Sequence, residues 1–179
     1  MVKLFTDTDT DITLEEAKKY GYELISMPYL IDGIETFPYE DFEVFDYKNF
    51  YDALRKGTLP KTSAISPNKY IQYFEKEFAQ GNDILYVHFS RAMSGTFNAM
   101  DIAYKELKEK YPERKLHLID TKGITILSNI IVKEIGDLDR RINNERSKEK
   151  MMKMLAEKGK LKTSEKSLVK TSWKKRNMQ

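Results

Sequence analysis

From Lys3 to Leu138 the chain repeats one pattern: a short apolar run, a polar turn, then a stretch with helical spacing of its apolar residues. Strands that alternate with helices over short connections form parallel sheets covered by helices, and few other folds satisfy that order. Lys3–Thr6 reads as the first strand, Asp7–Asp11 as a turn, and Leu14–Tyr20 as a helix stopped at Gly21. Glu23–Ile31 reads as a second strand, and Asp32–Gly33 is a hairpin signal. Tyr47–Lys56 is helical up to Gly57, and Thr58–Pro67 is a polar loop that ends in Ser66–Pro67, the form of an N-cap and first helical residue. The helix so opened runs to about Gln80. Ile84–Phe89 is a continuous apolar strand, Ser90–Gly95 a loop, and the next helix reaches Tyr111 before Pro112 bars it. Leu116–Asp120 is expected as another buried strand and Ile124–Leu138 as one more helix.

In such sheets ligands bind outside the carboxyl ends of the strands. That edge gathers four loops, Asp7–Asp11, Thr62–Ser66, Ser90–Thr96 and Asp120–Gly123, each carrying hydroxyls, carboxylates or glycine. Two of them lead into helix N-termini, where unpaired amides and the helix dipole favour an anion. Thr62, Ser63 and Ser94 add hydroxyl donors, and Gly95 lets a ligand approach the backbone. The residues therefore suit a small-anion or carboxylate pocket. The same hydroxyls also serve as ordinary helix caps, and spacing alone leaves both readings open.

The segments FTDTDTDIT, PKTSAISP, FSRAMSGTFNA and LIDTKG stand in this order from Phe5 to Gly123. Their order and spacing resemble the DegV family, with its D-S-T-x-D after the first strand, T-S-x-P or x-S-P in the middle, S-x-x-L-S-G-T-Y/F and then I-D-S/T-x-x. The resemblance covers residues 1 to about 138. Thr8 stands for the usual serine, Met93 for leucine, and Asp9 intrudes in the first motif. The resemblance implies an α/β domain with a mostly parallel sheet flanked by helices. It implies a protein that binds one long-chain fatty acid and presents it to a fatty acid kinase, with no catalysis of its own and no cofactor. The carboxylate contacts it carries over fall on Thr62 and Ser94, with Ser63 and Gly95 beside them.

Beyond Leu138 the composition changes. Residues 1–138 hold 17 basic and 23 acidic side chains, net −6, whereas residues 139–179 hold 14 and 5, net +9. Of 21 aromatic residues only Trp173 lies past Tyr111, and a core needs such side chains. Residues 139–179 are thus expected to be a basic, helical or disordered tail, in which at most Lys148–Lys158 forms a helix. The resemblance implies a second domain that would close over the acyl chain and give the carboxylate further partners. No such pattern follows Leu138, and the tail reads as the product of a frame shift or premature junction, or else as an evolved basic helix. A truncated carrier would bind lipid poorly and self-associate through its exposed acyl-binding face.

Three further readings compete. Asp9-Thr10-Asp11-Ile12-Thr13 fits the D-x-D-x-T signature of aspartate-nucleophile phosphatases, but Asp7 occupies the strand-end position which that nucleophile needs. Asp7, Asp9 and Asp11 resemble the start of a calcium loop, yet Ile12 stands where glycine is required. The basic tail invites nucleic-acid binding, without aromatic interleaving or a reading motif to support it. Ser94 lacks a visible base, because His88 and His117 are placed within strands and expected half-buried. With no cysteine, no leader-like start and no membrane-length apolar run, the chain reads as cytoplasmic.

Overall fold

A computed structural model describes residues 1–157 of the 179. The basic run 158–179, with Trp173 in it, lies outside the described residues, as does the expected end of a helix at Lys158. The described chain divides into two compact units, Met1–Asp137 and a second that begins at Leu138.

The first unit is built on four parallel strands, β1 (Val2–Asp7), β2 (Tyr22–Ile25), β6 (Asp83–His88) and β7 (Leu116–Asp120), in the order β2-β1-β6-β7. Three short strands, β3 (Tyr29–Ile31), β4 (Ile34–Thr36) and β5 (Lys61–Thr62), form a separate antiparallel sheet in the order β4-β3-β5. The helices are α1 (Leu14–Tyr20), α2 (Tyr47–Arg55), α3 (Pro67–Ala79), α4 (Thr96–Lys110) and α5 (Ile126–Glu157). This is the α/β architecture that the alternating pattern demands.

Successive residues of β1 point to opposite faces, and each face has its own core. Phe5 enters an aromatic cluster with Tyr70, Phe74 and Phe78 of α3, Tyr86 of β6, and Phe97, Met100 and Leu107 of α4. Leu4 enters a smaller cluster with Ile12, Ala17 of α1, Tyr22 of β2, Val87 of β6 and Val132 of α5. Helices therefore cover both faces of the central strands β1 and β6, whose middle and later residues are buried. Local signals fix the boundaries. Thr13 and Glu16 form a reciprocal capping box at the start of α1, and Gly21 ends it in the left-handed region at φ 78°. Ser66 Oγ accepts from Lys69 N at the start of α3, with Pro67 as its first residue.

Four expectations need correction. Glu23–Ile31 is two strands in different sheets, because Pro28 cannot donate to a ladder and the chain turns out of the parallel sheet there. The loop Thr58–Pro67 contains β5, which pairs with β3 through Tyr29–Thr62 and Leu30–Lys61. The strand Leu116–Asp120 is only partly covered: β7 has one partner, β6, and His117 and Leu118 are exposed. The last helix does not stop near Leu138. The segment from Asp139 to Lys150 holds neither proline nor glycine, so nothing in it breaks a helix, and residues 138–157 are helical.

Candidate functional site

The order of the parallel sheet reverses at β1, which has β2 on one side and β6 on the other. The crevice outside the carboxyl ends at such a reversal is the ligand position of open α/β sheets. β1 ends there in Asp7, β6 in His88, and β7 in Asp120.

The four expected loops lie at this edge and are tied to one another. Thr8 Oγ1 accepts from Met27 N, which joins the loop after β1 to the end of β2. Ser63 N donates to Pro28 O, which brings Thr62 and Ser63 beside that same strand end. On the far side of β1, Ser90 N donates to Gly123 O, and Arg91 N to the Asp120 carboxylate, so the loops after β6 and β7 form one rim. Thr62 and Ser63 thus sit on the β2 side of Asp7, and Ser94 and Gly95 on the β6 side. Among the described residues no hydrogen bond joins the two pairs directly.

Their individual states differ. Thr62 is exposed on β5. Ser63 Oγ donates to Glu35 Oε1 at 2.9 Å, so its proton is already committed. Ser94 is partly buried, and its Oγ accepts from Thr96 N at 3.2 Å, which leaves the hydroxyl proton free to point outward. Gly95 has φ −71°, and a Cβ there would meet nothing within 4 Å. Neither its backbone conformation nor packing demands glycine at this position. Gly95 is also the N-cap of α4 and brings no side chain, while Ser94 Oγ takes Thr96 N and Gly95 O takes Asn98 N, which leaves the Phe97 amide of that turn to an anion.

Beneath this rim lies a polar array that the sequence did not reveal. Asp7 is fully buried, and its Oδ2 accepts from the Tyr86 hydroxyl at 2.9 Å and from Phe89 N at 3.2 Å, while Oδ1 has no partner. Nearby, the buried Tyr70 hydroxyl shares a hydrogen bond with Thr96 Oγ1 at 3.2 Å. Burial, followed by the neighbouring Asp9 charge, holds the Asp7 carboxyl well above the ordinary carboxylate range, against the lowering effect of Tyr86 and Phe89 N. Burial and the charge of Asp11 push Asp9 up to about 6. Tyr86 is raised by burial and by Asp7. Strand periodicity could have flagged Asp7 and Tyr86, since each shares a strand face with an apolar core residue.

His88 and His117 depart from the half-buried state expected of both. His88 is fully buried with Nδ1 2.7 Å from Phe89 O, and burial lowers its pKa; His117 is exposed on β7. The phosphatase reading loses its footing as well. Asp9, its nucleophile, lies on the short 3-10 turn Thr8–Thr10, and the strand-end carboxyl of Asp7 is fully buried with Oδ2 already hydrogen-bonded.

Comparison with known proteins agrees with this fold. A DegV domain-containing protein of Clostridium perfringens is 34% identical over 129 residues, which are 72% of this chain and 44% of that protein. The chain spans about half the length of the curated relatives it matches. Among solved structures, a stearic acid-binding protein from Eubacterium ventriosum superposes with a TM-score of 0.69 at 19% identity, over 79% of this chain and 48% of that one. The Fatty Acid Kinase (Fak) B3 protein of Streptococcus pneumoniae, solved with linoleic acid, gives 0.58 at 19%, over 79% and 49%. The model of an uncharacterised protein family, DegV, matches residues 1–160, and the chain belongs to the DegV family.

Proposed function

We propose that this chain binds the carboxylate of a long-chain fatty acid at the carboxyl edge of its parallel sheet, and presents it in the cytoplasm to a partner such as a fatty acid kinase. The role is binding and presentation, without catalysis and without a cofactor. One observation carries the reading: hydroxyl-bearing loops open α3 and α4 on either side of Asp7, and the α4 loop sets the Ser94 hydroxyl at the start of its helix. Thr62 and Ser94 are the carboxylate donors in this reading, with Gly95 leaving room for close approach. Ser63 contributes once it releases Glu35. Structural neighbours described as stearic acid-binding or as loaded with linoleic acid support the choice of ligand.

No described helix is long and apolar enough to cross a membrane. The basic residues from Arg140 onward supply charge without a reading element, so nucleic acid is not assigned as a partner. The test is mass spectrometry of lipid extracted from the purified chain, followed by titration with oleic acid. Recovery of a long-chain fatty acid is expected, with uptake of oleic acid that saturates at one molecule per chain. A protein that carries no lipid and takes up no oleic acid overturns the reading.

A further inference from the structure

The chain from Tyr29 to Ala64 holds β3, β4, α2 and β5, and none of its residues is buried. Such an arm has no core of its own to fix it, so its place depends on where it is tied. It is tied at Tyr73 of α3, whose hydroxyl accepts from Ser26 N at 3.1 Å and donates to Glu40 Oε1. From that geometry we infer that Tyr73 and Glu40 are positioning residues for the carboxylate site: they clamp to α3 the arm that carries Thr62, and so fix its separation from Ser94. The inference rests on the carboxylate-binding reading above and deepens it, because neither residue touches the ligand and both act through Thr62.

The clamp gathers both ends of the β3–β4 hairpin on one side chain, with Ser26 before β3 and Glu40 after β4. The two ends also meet directly, since Ser26 Oγ donates to Pro38 O at 2.7 Å. Lys69, one turn before Tyr73 in α3, donates to the second oxygen of Glu40 and lies 4.7 Å from the centroid of the Phe37 ring. The donors are fixed by chemistry. An amide N–H only donates, so Tyr73 accepts from Ser26 and spends its own proton on the Glu40 carboxylate. Ser26 is 1% exposed, and loss of the Tyr73 hydroxyl therefore strands a buried amide. Thr62 rides on this hairpin: β5 pairs with β3 through Tyr29–Thr62, and Ser63 N donates to Pro28 O. Met27 and Ile65 enter the aromatic core on either side of the arm and hold its ends, so the clamp decides how the arm between them is tilted. Ser94 is held differently. It precedes α4, which shares that core with α3 through Phe74, Phe97 and Met100. Helix α3 is thus the common frame, fixing Ser94 through buried rings and Thr62 through the clamp.

A positioning role predicts losses that are selective and shared with Thr62. Binding of oleic acid and of methyl oleate, both delivered from cyclodextrin, is measured on the 179-residue chain, on Tyr73→Phe, Glu40→Ala and Thr62→Val, and on each clamp variant combined with Thr62→Val. The ester keeps the acyl chain and lacks the charged acceptor. Tyr73→Phe and Glu40→Ala should each weaken oleic acid about three- to tenfold and leave the ester unchanged. The double variants should bind the acid no more weakly than Thr62→Val alone, because both changes remove the same contact. Hydrogen exchange without ligand should quicken at Tyr29–Ile31 in both clamp variants and stay as it is at Ile84–His88. Glu40 is exposed, so Glu40→Ala serves if Tyr73→Phe does not fold. Equal losses for acid and ester, no loss in either clamp variant, additive losses in the double variants, or unchanged exchange at Tyr29–Ile31 overturn the clamp while the carboxylate reading stands. If the parent chain binds the acid no better than the ester, or binds neither, that reading itself falls and the positioning role with it.

Discussion

The Tyr86 hydroxyl donates to Asp7 Oδ2 at 2.9 Å between adjacent parallel strands, and the other oxygen of that buried carboxyl has no partner. A half-satisfied buried carboxyl costs stability when charged, which is why its pKa stands above the ordinary range. The folded state thus holds the Asp7 proton more tightly than the unfolded chain does. Its contribution is fully present below the unfolded carboxylate pKa and is lost as pH rises through the folded value. Asp7→Asn, which cannot ionise, should therefore be more stable than the parent at neutral pH by about 1–3 kcal/mol, with the difference vanishing near pH ~3. Asp7→Ala should instead destabilise by a similar amount at every pH, because it strands the Tyr86 hydroxyl and Phe89 N–H. Urea titrations across pH check both, and a constant Asp7→Asn difference would show that Asp7 ionises freely.

On the carboxylate reading, Thr62 and Ser94 each donate one hydrogen bond to a charged acceptor, typically worth about 1.5–3 kcal/mol. Thr62→Val and Ser94→Ala should each weaken fatty acid binding by roughly 10- to 100-fold while leaving the fold intact. The structure separates a third residue from these two. Ser63 is tied to Glu35, so Ser63→Ala should cost less than either. Unchanged affinity in both primary variants sinks the site assignment.

Much of the fold was legible because its signals are local. The Thr13 capping box, Gly21 and Ser66–Pro67 set helix ends through contacts within four residues, and the sequence displays all of them. What escaped depends on distant partners. β5 is two residues long and exists because Thr62 meets Tyr29, 33 positions away. The Asp7–Tyr86 pair spans 79 positions, and no single window contains both. The continuation of α5 past Leu138 is legible in the lack of helix breakers, whereas the change of charge there marks a change of surface and not the end of the helix. At the site, the hydroxyl-rich loops were visible as motifs, whereas the commitment of Ser63 to Glu35 belongs to a cross-strand geometry that motifs do not carry.

Gly136 lets α5 approach the end of α1 and the start of β2. A Cβ there would lie 2.8 Å from Tyr20 Cβ and 3.0 Å from Tyr22 Cε2. Alanine is the better helix former by about 1 kcal/mol, whereas overpacking a close contact costs about 1–3 kcal/mol. The Tyr20 contact is at the base of its side chain, which cannot swing aside without moving the backbone. Gly136→Ala should therefore lower stability despite the gain in helix propensity, and Gly136→Val should do so more strongly. A higher melting temperature for Gly136→Ala would mean that α5 shifts easily at this point.

A long acyl chain needs apolar cover for many methylenes, each worth about 0.8 kcal/mol when buried. The layer between the parallel sheet and α3 and α4 is already filled by Phe5, Phe74, Phe78, Phe97 and Met100. A cavity of about 370 Å³ lies against the later turns of α4, lined by Asp101, Tyr104, Lys105, Lys108 and Glu109, away from the carboxyl edge. An acyl chain held by its carboxylate at the rim of this unit would thus run over surface that faces water, and two hydrogen bonds to a well-hydrated carboxylate do not replace the lost burial. The 179-residue chain should therefore bind oleic acid far more weakly than relatives of twice its length. Exposed apolar side chains add a second consequence. Ile126, Leu127 and Ile130 at the start of α5 are 66%, 54% and 55% exposed, and apolar patches of this kind tend to find partners. Light scattering should show mass rising with concentration, and Ile126→Lys with Ile130→Lys should return the chain to a monomer without loss of helix. Calorimetric titration with oleic acid in the same buffer gives the affinity. Tight one-to-one binding by a monomeric parent chain would refute both expectations, and would mean that residues after Leu138 supply the missing apolar cover.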